Sequence, residues 1–142
     1  MPILFDSSVY ISALRADGED AVVLQRWARE SPLWLSSVVL EELYAGATRS
    51  DYRILEKLER DFDRARRVLV PNLSDWTQAG RILSRIAEKY GYEQIGRARL
   101  TNDALIATSG AQAGITIITV NQRDFARLAE FCPLQWQAIA IP

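Results

Sequence analysis

The sequence contains no histidine, and that absence removes a large share of familiar enzyme chemistry. Ser-His-Asp and Cys-His hydrolases, paired-histidine ribonucleases and histidine-bearing zinc sites are excluded together. Lys57 and Lys89 are the whole lysine complement, and neither lies in a glycine-rich loop of P-loop spacing. A nucleotide-phosphate cradle is therefore excluded as well. The lone cysteine, Cys132, has no counterpart for an internal disulfide, and a reducing, cytoplasmic setting is expected. No apolar run approaches the ~18 residues of a membrane-spanning helix, so no membrane association is expected. The first residues, Met1-Pro2-Ile3-Leu4-Phe5, lack a basic segment and meet an acid at Asp6, unlike a signal peptide.

What is present is ordinary in amount and unusual in kind. With 142 residues, 49% apolar and 25% charged, the chain fits one folded domain over 1–142. No internal repeat, low-complexity tract or linker interrupts the sequence. The net charge of −1 argues against a general nucleic-acid binder. Arginine nevertheless supplies nearly all the positive charge, and its guanidinium suits bidentate phosphate contact; surface ion pairing accounts for it equally well. Carboxylates without histidine or a thiolate cluster favour oxygen-loving cations: magnesium, manganese or calcium.

Periodicity gives alternating strands and helices. Pro2 to Phe5 reads as a first strand ending at Asp6, followed by a helix from Ser7 to Leu14. Asp17 to Asp20 reads as a loop, with Asp20 capping a helix from Ala21 to about Arg29. Leu33 to Leu35 is a second strand, and Ser36 or Ser37 caps a helix running to about Ala47. Asp51 to Arg67 reads as a charged helix with Ile54, Leu55, Leu58 and Phe62 inward. A short strand, Val68 to Val70, precedes a helix from Asp75 to about Tyr90. Ser74 is its expected cap, Gly91 its end, and Trp76, Ala79, Ile82, Leu83 and Ile86 its buried stripe. Tyr92 to Leu100 reads as an irregular loop, and Asn102 to Ala113 as an apolar helix ended by Gly114. Ile115 to Val120 has the continuous apolar character of a strand buried on both faces. A short helix from Gln122 to about Glu130 and a last strand within Gln135 to Ile141 complete the chain. The alternation implies an α/β sandwich with a mainly parallel sheet.

Ligands of parallel α/β sheets gather beyond the carboxyl ends of the strands, and the acids were weighed against that rim. Asp6 ends the first strand, Asp103 opens an apolar helix, and Asp124 follows the most apolar strand. Glu42 lies on the helix after the second strand. At about 100° per residue, Ser37, Glu41, Tyr44 and Thr48 share one face, whereas Glu42 shares a strip with Val38, Val39, Ala45 and Gly46. A carboxylate there is costly unless paired or bound to a cation. The bland alternatives stay open at this point: Glu42 as an ordinary helical glutamate, Asp103 as a cap favoured by the helix dipole, and Asn121 with Asp124 as a capping pair. Ser7 and Ser8 offer hydroxyls beside Asp6, for capping or for a metal-bound water.

Clustered carboxylates repel one another until a divalent cation neutralises them. Such a cation lowers the pKa of bound water and stabilises charge on a phosphoryl group, so hydrolysis of a phosphodiester is the economical reaction.

Four stretches carry a family resemblance. They are Asp6 after its apolar strand, Glu42-Leu43-Tyr44-Ala45-Gly46, Asn102-Asp103-Ala104-Leu105-Ile106-Ala107 and Thr119-Val120-Asn121-Gln122-Arg123-Asp124-Phe125. In this order they resemble the motifs of PIN domains, and more narrowly of VapC-type toxins. The resemblance implies a PIN-like three-layer α/β/α sandwich and a Mg2+- or Mn2+-dependent endoribonuclease acting on tRNA or rRNA. It implies a cognate VapB-type antitoxin lying across the acidic site, and a homodimer. It carries Asp6, Glu42 and Asp103 over as metal ligands, with Asp124 the fourth catalytic acid or Asn121 in its place. Ser8 stands where many relatives have asparagine, a departure that touches water positioning.

Arg97 and Arg99, just before Asp103, are the expected RNA contacts. On the charged helix, Arg53, Arg60, Arg64 and Arg67 alternate with acids and read as a solvated face. Trp27, Trp34, Trp76 and Trp136 read as core or dimer residues. A phosphoaspartate protein fits poorly, because Asp6-Ser7-Ser8 lacks the second aspartate of such phosphatases and Asn121 stands where a receiver needs lysine. The remaining alternative is a non-catalytic PIN-like module that binds RNA or protein.

Overall fold

In the computed structural model, which describes residues 1–15, 19–91 and 98–140, strands and helices alternate from β1 to β5. They are β1 (Ile3–Phe5), α1 (Ser7–Arg15), α2 (Glu19–Glu30), β2 (Leu33–Ser36), α3 (Ser37–Ala45), α4 (Tyr52–Arg64) and β3 (Val68–Leu69). After them come α5 (Leu73–Tyr90), α6 (Ala98–Ala113), β4 (Thr116–Thr119), α7 (Gln122–Ala129) and β5 (Trp136–Ala138). A 3-10 turn over Arg49–Asp51 leads into α4. The strands form one sheet in the order β3-β2-β1-β4-β5, every neighbouring pair parallel.

Alternation along the strands makes two cores. Leu4, Leu35 and Ile117 face a large cluster with Val39 of α3, Ile86 of α5, Ile106 of α6 and Phe125 of α7. Ile3, Phe5 and Ile118 point to the other face, against Val9 of α1 and Leu24 and Trp27 of α2. The result is the expected three-layer α/β/α sandwich. All four residues of β4 are buried, as its unbroken apolar character requires.

Local chemistry explains most boundaries. Ser36 is the cap of α3, its side chain accepting from the Val38 N–H at 3.2 Å. Arg66 takes φ 56°, so α4 stops short of the expected Arg67 and turns into β3. Gly114, at φ 69°, ends α6 in the left-handed region that glycine enters without strain. On α4, Lys57 and Asp61 pair at 2.8 Å one turn apart on the exposed face, in keeping with a solvated surface.

Several expectations need correction. Helix α2 begins at Glu19, not after Asp20, because acids suit a helix's first turn as well as its cap. Residues 17 and 18 of the expected loop, and 16 before them, lie outside the described residues. Helix α5 is capped by Asn72 rather than Ser74: Asn72 and Asp75 exchange side-chain and backbone hydrogen bonds, both 2.9 Å. Helix α6 begins a turn before Asn102, so Arg99 belongs to a helix and Asp103 to the second turn. Arg97 and the rest of 92–97 lie outside the described residues. Ile54 is 57% exposed and Trp76 55% exposed, against expectation. The buried stripe of α5 runs through Asp75, Ala79, Ile82 and Ile86, and Trp76 sits about 100° away from Asp75. Ile54 faces a surface groove described below. Trp27, Trp34 and Trp136 are partly buried against the two cores.

The capping box gives a direct test of the α5 boundary. Asn72→Ala should destabilise the protein by about 1 kcal/mol, whereas Ser74→Ala should stay within about 0.5 kcal/mol of the parent. Denaturant unfolding of both variants checks this, and a larger loss from Ser74→Ala would contradict it.

Candidate metal centre

The strand order changes direction at β1: β2 and β3 lie to one side, β4 and β5 to the other. A crevice opens beyond the strand ends at such a switch point. Asp6 sits there, where its N–H extends the ladder to the Ile118 carbonyl at 2.9 Å and its own carbonyl accepts from Val9 as α1 begins. Glu42 reaches the same place from α3, and Asp103 from α6. One carboxylate oxygen of each lies within 4.8 Å of the other two.

This cluster is largely dry. Asp6 and Asp103 are each 2% exposed, and Glu42 is half-buried while neighbouring Glu41 is exposed. The helical-face argument thus separates the two glutamates as expected. Asp103, in the second turn of α6, is beyond the reach of a simple capping role, since the orphan N–H groups belong to the first turn.

Burial pushes the Glu42 carboxyl above its ordinary value of 4.5, and the charges of Asp6 and Glu41 push it the same way. Hydrogen bonds from Ser7 and Asn102 oppose that shift. Glu42 Oε1 finds no hydrogen-bond partner among the described residues. A desolvated carboxylate oxygen facing two further acids fits a hard divalent cation, which supplies the missing positive charge and accepts oxygen ligands.

The shift has a stability consequence. A carboxyl with a folded pKa above its unfolded value stabilises the fold at low pH, and that contribution is lost as pH rises through the folded pKa. In EDTA, the protein should therefore lose stability from the ordinary Glu42 value of 4.5 upward. Glu42→Gln should flatten this decline and raise the melting temperature at pH 7. A lower melting temperature for the variant under those conditions would contradict the assignment.

Hydroxyl groups complete the surroundings. Asp6 Oδ2 accepts from Thr119 Oγ1 at 2.7 Å and from Ser8 Oγ at 2.8 Å. Asp6 Oδ1 accepts from Ser7 Oγ at 3.3 Å. Ser8 therefore touches the acid directly, and Thr119 is a participant that sequence reasoning missed. Its signals were a polar residue within an apolar strand and its place at the head of the last motif. Asn102, also missed, donates to Glu41 Oε2 at 3.2 Å.

Asp124 is outside the group of three acids. Its Oδ2 accepts from Asn121 Nδ2 at 2.9 Å, and Asn121 caps α7 by accepting from the Asp124 N–H at 3.4 Å. The capping relation expected of this pair is present. Arg99 starts α6, on the helix that also carries Asp103.

Comparison with known proteins follows the same lines. The PIN domain family model matches residues 3–131. No curated protein matches the sequence. Among solved structures, the chain resembles a DNA-bound VapBC from Salmonella typhimurium at 21% identity and a TM-score of 0.70, covering 97% of this chain and 98% of that one. It resembles VapBC2 from Rickettsia felis, bound to a promoter DNA fragment, at 20% identity and a TM-score of 0.68, covering 99% and 100%. It also resembles VapBC-5 of a toxin-antitoxin family from Mycobacterium tuberculosis at 21% identity and a TM-score of 0.57, covering 99% and 98%. At these identities the structural likeness carries the fold.

Proposed function

The chain belongs to the PIN-domain family, and on that premise we propose that it is a metal-dependent endoribonuclease acting as a VapC-type toxin. The observation that carries this reading is the buried triangle of Asp6, Glu42 and Asp103, with oxygens within 4.8 Å of one another. These three hold Mg2+ or Mn2+ in the proposal, and Asp124, with Asn121, is the fourth acid at its edge. When bound, the cation supplies a Lewis acid that lowers the pKa of water and offsets charge on a phosphodiester.

The chain's own groups supply the rest. Asp6 and Asp103, almost fully buried, keep bulk water away from the ligand oxygens and so strengthen every charge interaction there. Thr119 and Ser8 fix the orientation of Asp6. Arg97 and Arg99 are the proposed phosphate contacts, Arg99 in the first turn of α6. The substrate class is RNA of the tRNA or rRNA type.

A VapB-type antitoxin is the proposed partner, and the surface beside the site supports it. A groove of about 270 Å³ runs from Glu42 along Leu43, Ala47, Ile54 and Leu55. It continues into an apolar hollow of about 410 Å³ between Tyr10, Leu24 and Leu58. Such a trough suits the apolar face of a partner segment and explains the exposure of Ile54. A homodimer is part of the reading, with exposed Val70, Leu73 and Trp76 as an apolar patch available to it. Among the described residues no helix is long and apolar enough to cross a membrane.

Cleavage of total RNA with Mn2+ or Mg2+, followed by end-labelling, tests the reaction. The expected products carry a 5′-phosphate and a 3′-hydroxyl, and EDTA abolishes them. A 2′,3′-cyclic phosphate would overturn the mechanism, because it makes the ribose hydroxyl the nucleophile.

A further inference from the structure

Two hydroxyl groups converge on a single oxygen of Asp6, and both are held from behind by the same loop. Thr119 Oγ1 donates to Asp6 Oδ2 at 2.7 Å and accepts from the Asn121 N–H at 2.9 Å. Ser8 Oγ donates to the same Oδ2 at 2.8 Å and accepts from the Val120 N–H at 3.3 Å. At Oδ1 the contact is weaker: Ser7 Oγ lies at 3.3 Å, and its single proton is shared with Glu42.

A hydroxyl has one proton to give. Because each of these hydroxyls accepts from a backbone N–H, its proton is directed to the carboxylate, and the polarity of both chains is fixed. Backbone amides cannot reverse, so neither can the relays they anchor. Oδ2 thereby receives two donors, which fill its two lone-pair directions. Thr119 is fully buried, so water does not replace its hydroxyl.

We propose that Thr119 and Ser8 are positioning residues that hold Asp6 Oδ2 out of the metal site, so that Asp6 meets a divalent cation through Oδ1 alone. This rests on the metal-site reading above. Ser7 Oγ, at the longer distance, would give way to an ion held in the triangle, while the Thr119 and Ser8 relays would stay intact. The β4–α7 connection, which carries Val120 and Asn121 and leads to Asp124 in the first turn of α7, is in this way tied to the orientation of the first acid. The last sequence motif then contributes through its backbone as well as through Asp124.

Mn2+ binding, read from the free-ion electron paramagnetic resonance signal, tests the proposal without recourse to activity. Thr119→Val keeps the shape and removes the hydroxyl; Thr119→Ser restores it; Ser8→Ala removes the second relay. Loss of such an outer partner weakens metal affinity about 10- to 100-fold, and that range is expected for Thr119→Val and Ser8→Ala. Thr119→Ser should bind with near-parental affinity. If Thr119→Val fails to fold, Ser8→Ala, at a half-buried position, supplies the same readout. Parental affinity in both hydroxyl deletions would overturn the relay while leaving the metal site standing. A loss in Thr119→Ser equal to that in Thr119→Val would assign the effect to packing and overturn it too. Absence of Mn2+ binding in the parent protein would overturn the metal reading itself, and the relay with it.

Discussion

Asp6→Asn is expected to lower RNA cleavage at least about 100-fold, a loss of ~3 kcal/mol in transition-state stabilisation. The substitution is nearly isosteric, so the fold should persist, and the reason for its severity lies in hydrogen-bond polarity. Thr119 and Ser8 present protons, and both are anchored by backbone N–H groups. An asparagine must turn its amide oxygen toward them and its NH2 toward Glu42 and Asp103. A donor then stands where a ligand oxygen is required, and a negative charge has also gone. Cleavage rates of the purified variant with saturating Mn2+ check this. Parental activity in Asp6→Asn would remove Asp6 from the reaction.

Phe125→Ala should cost ~3–5 kcal/mol in unfolding free energy, about 9–15 °C in melting temperature for a chain of this size. Phe125 is fully buried, and with Leu128 it makes up the buried anchor of α7, a helix of eight residues. An isolated helix that short is not stable in water, so its place against the sheet depends on these two side chains. The N-terminus of α7 carries Asn121 and Asp124, which places the cost next to the site. A loss below about 1 kcal/mol would mean that α7 is held by something other than this packing.

How much of this was readable from the residues depends on where the determining physics sits. Glu42 was separable from Glu41 because helical periodicity is a local property, and the observed exposure of Glu41 follows it. The gathering of Asp6 and Asp103 was readable from a general rule of parallel sheets, without knowing any contact. Trp76 and Ile54 were misplaced for opposite reasons. Trp76 lies beside a stripe whose phase is set by Asp75, a buried capping residue that apolar counting passes over. Ile54 has the right phase, but the surface it faces is an open groove on this chain. The extra turn of α6 was hidden because Ala98 follows a stretch without a recognisable cap. Thr119 heads the last motif, but its contact with Asp6 depends on the register that pairs Phe5 with Ile118, a non-local property that periodicity does not reveal. For Asp124 the capping geometry is plain, and its part in the reaction is carried by the proposal.

Thermal melting with Mn2+ tests directly whether buried Asp6 and Asp103 and half-buried Glu42 hold a divalent cation. At about 100 times the dissociation constant, mass action adds ~2.7 kcal/mol to the folded state, about 8 °C for a chain of this size. That rise is expected for the parent protein and is lost when Asp6→Asn and Asp103→Asn are combined. A parent protein whose melting temperature ignores Mn2+ would contradict it.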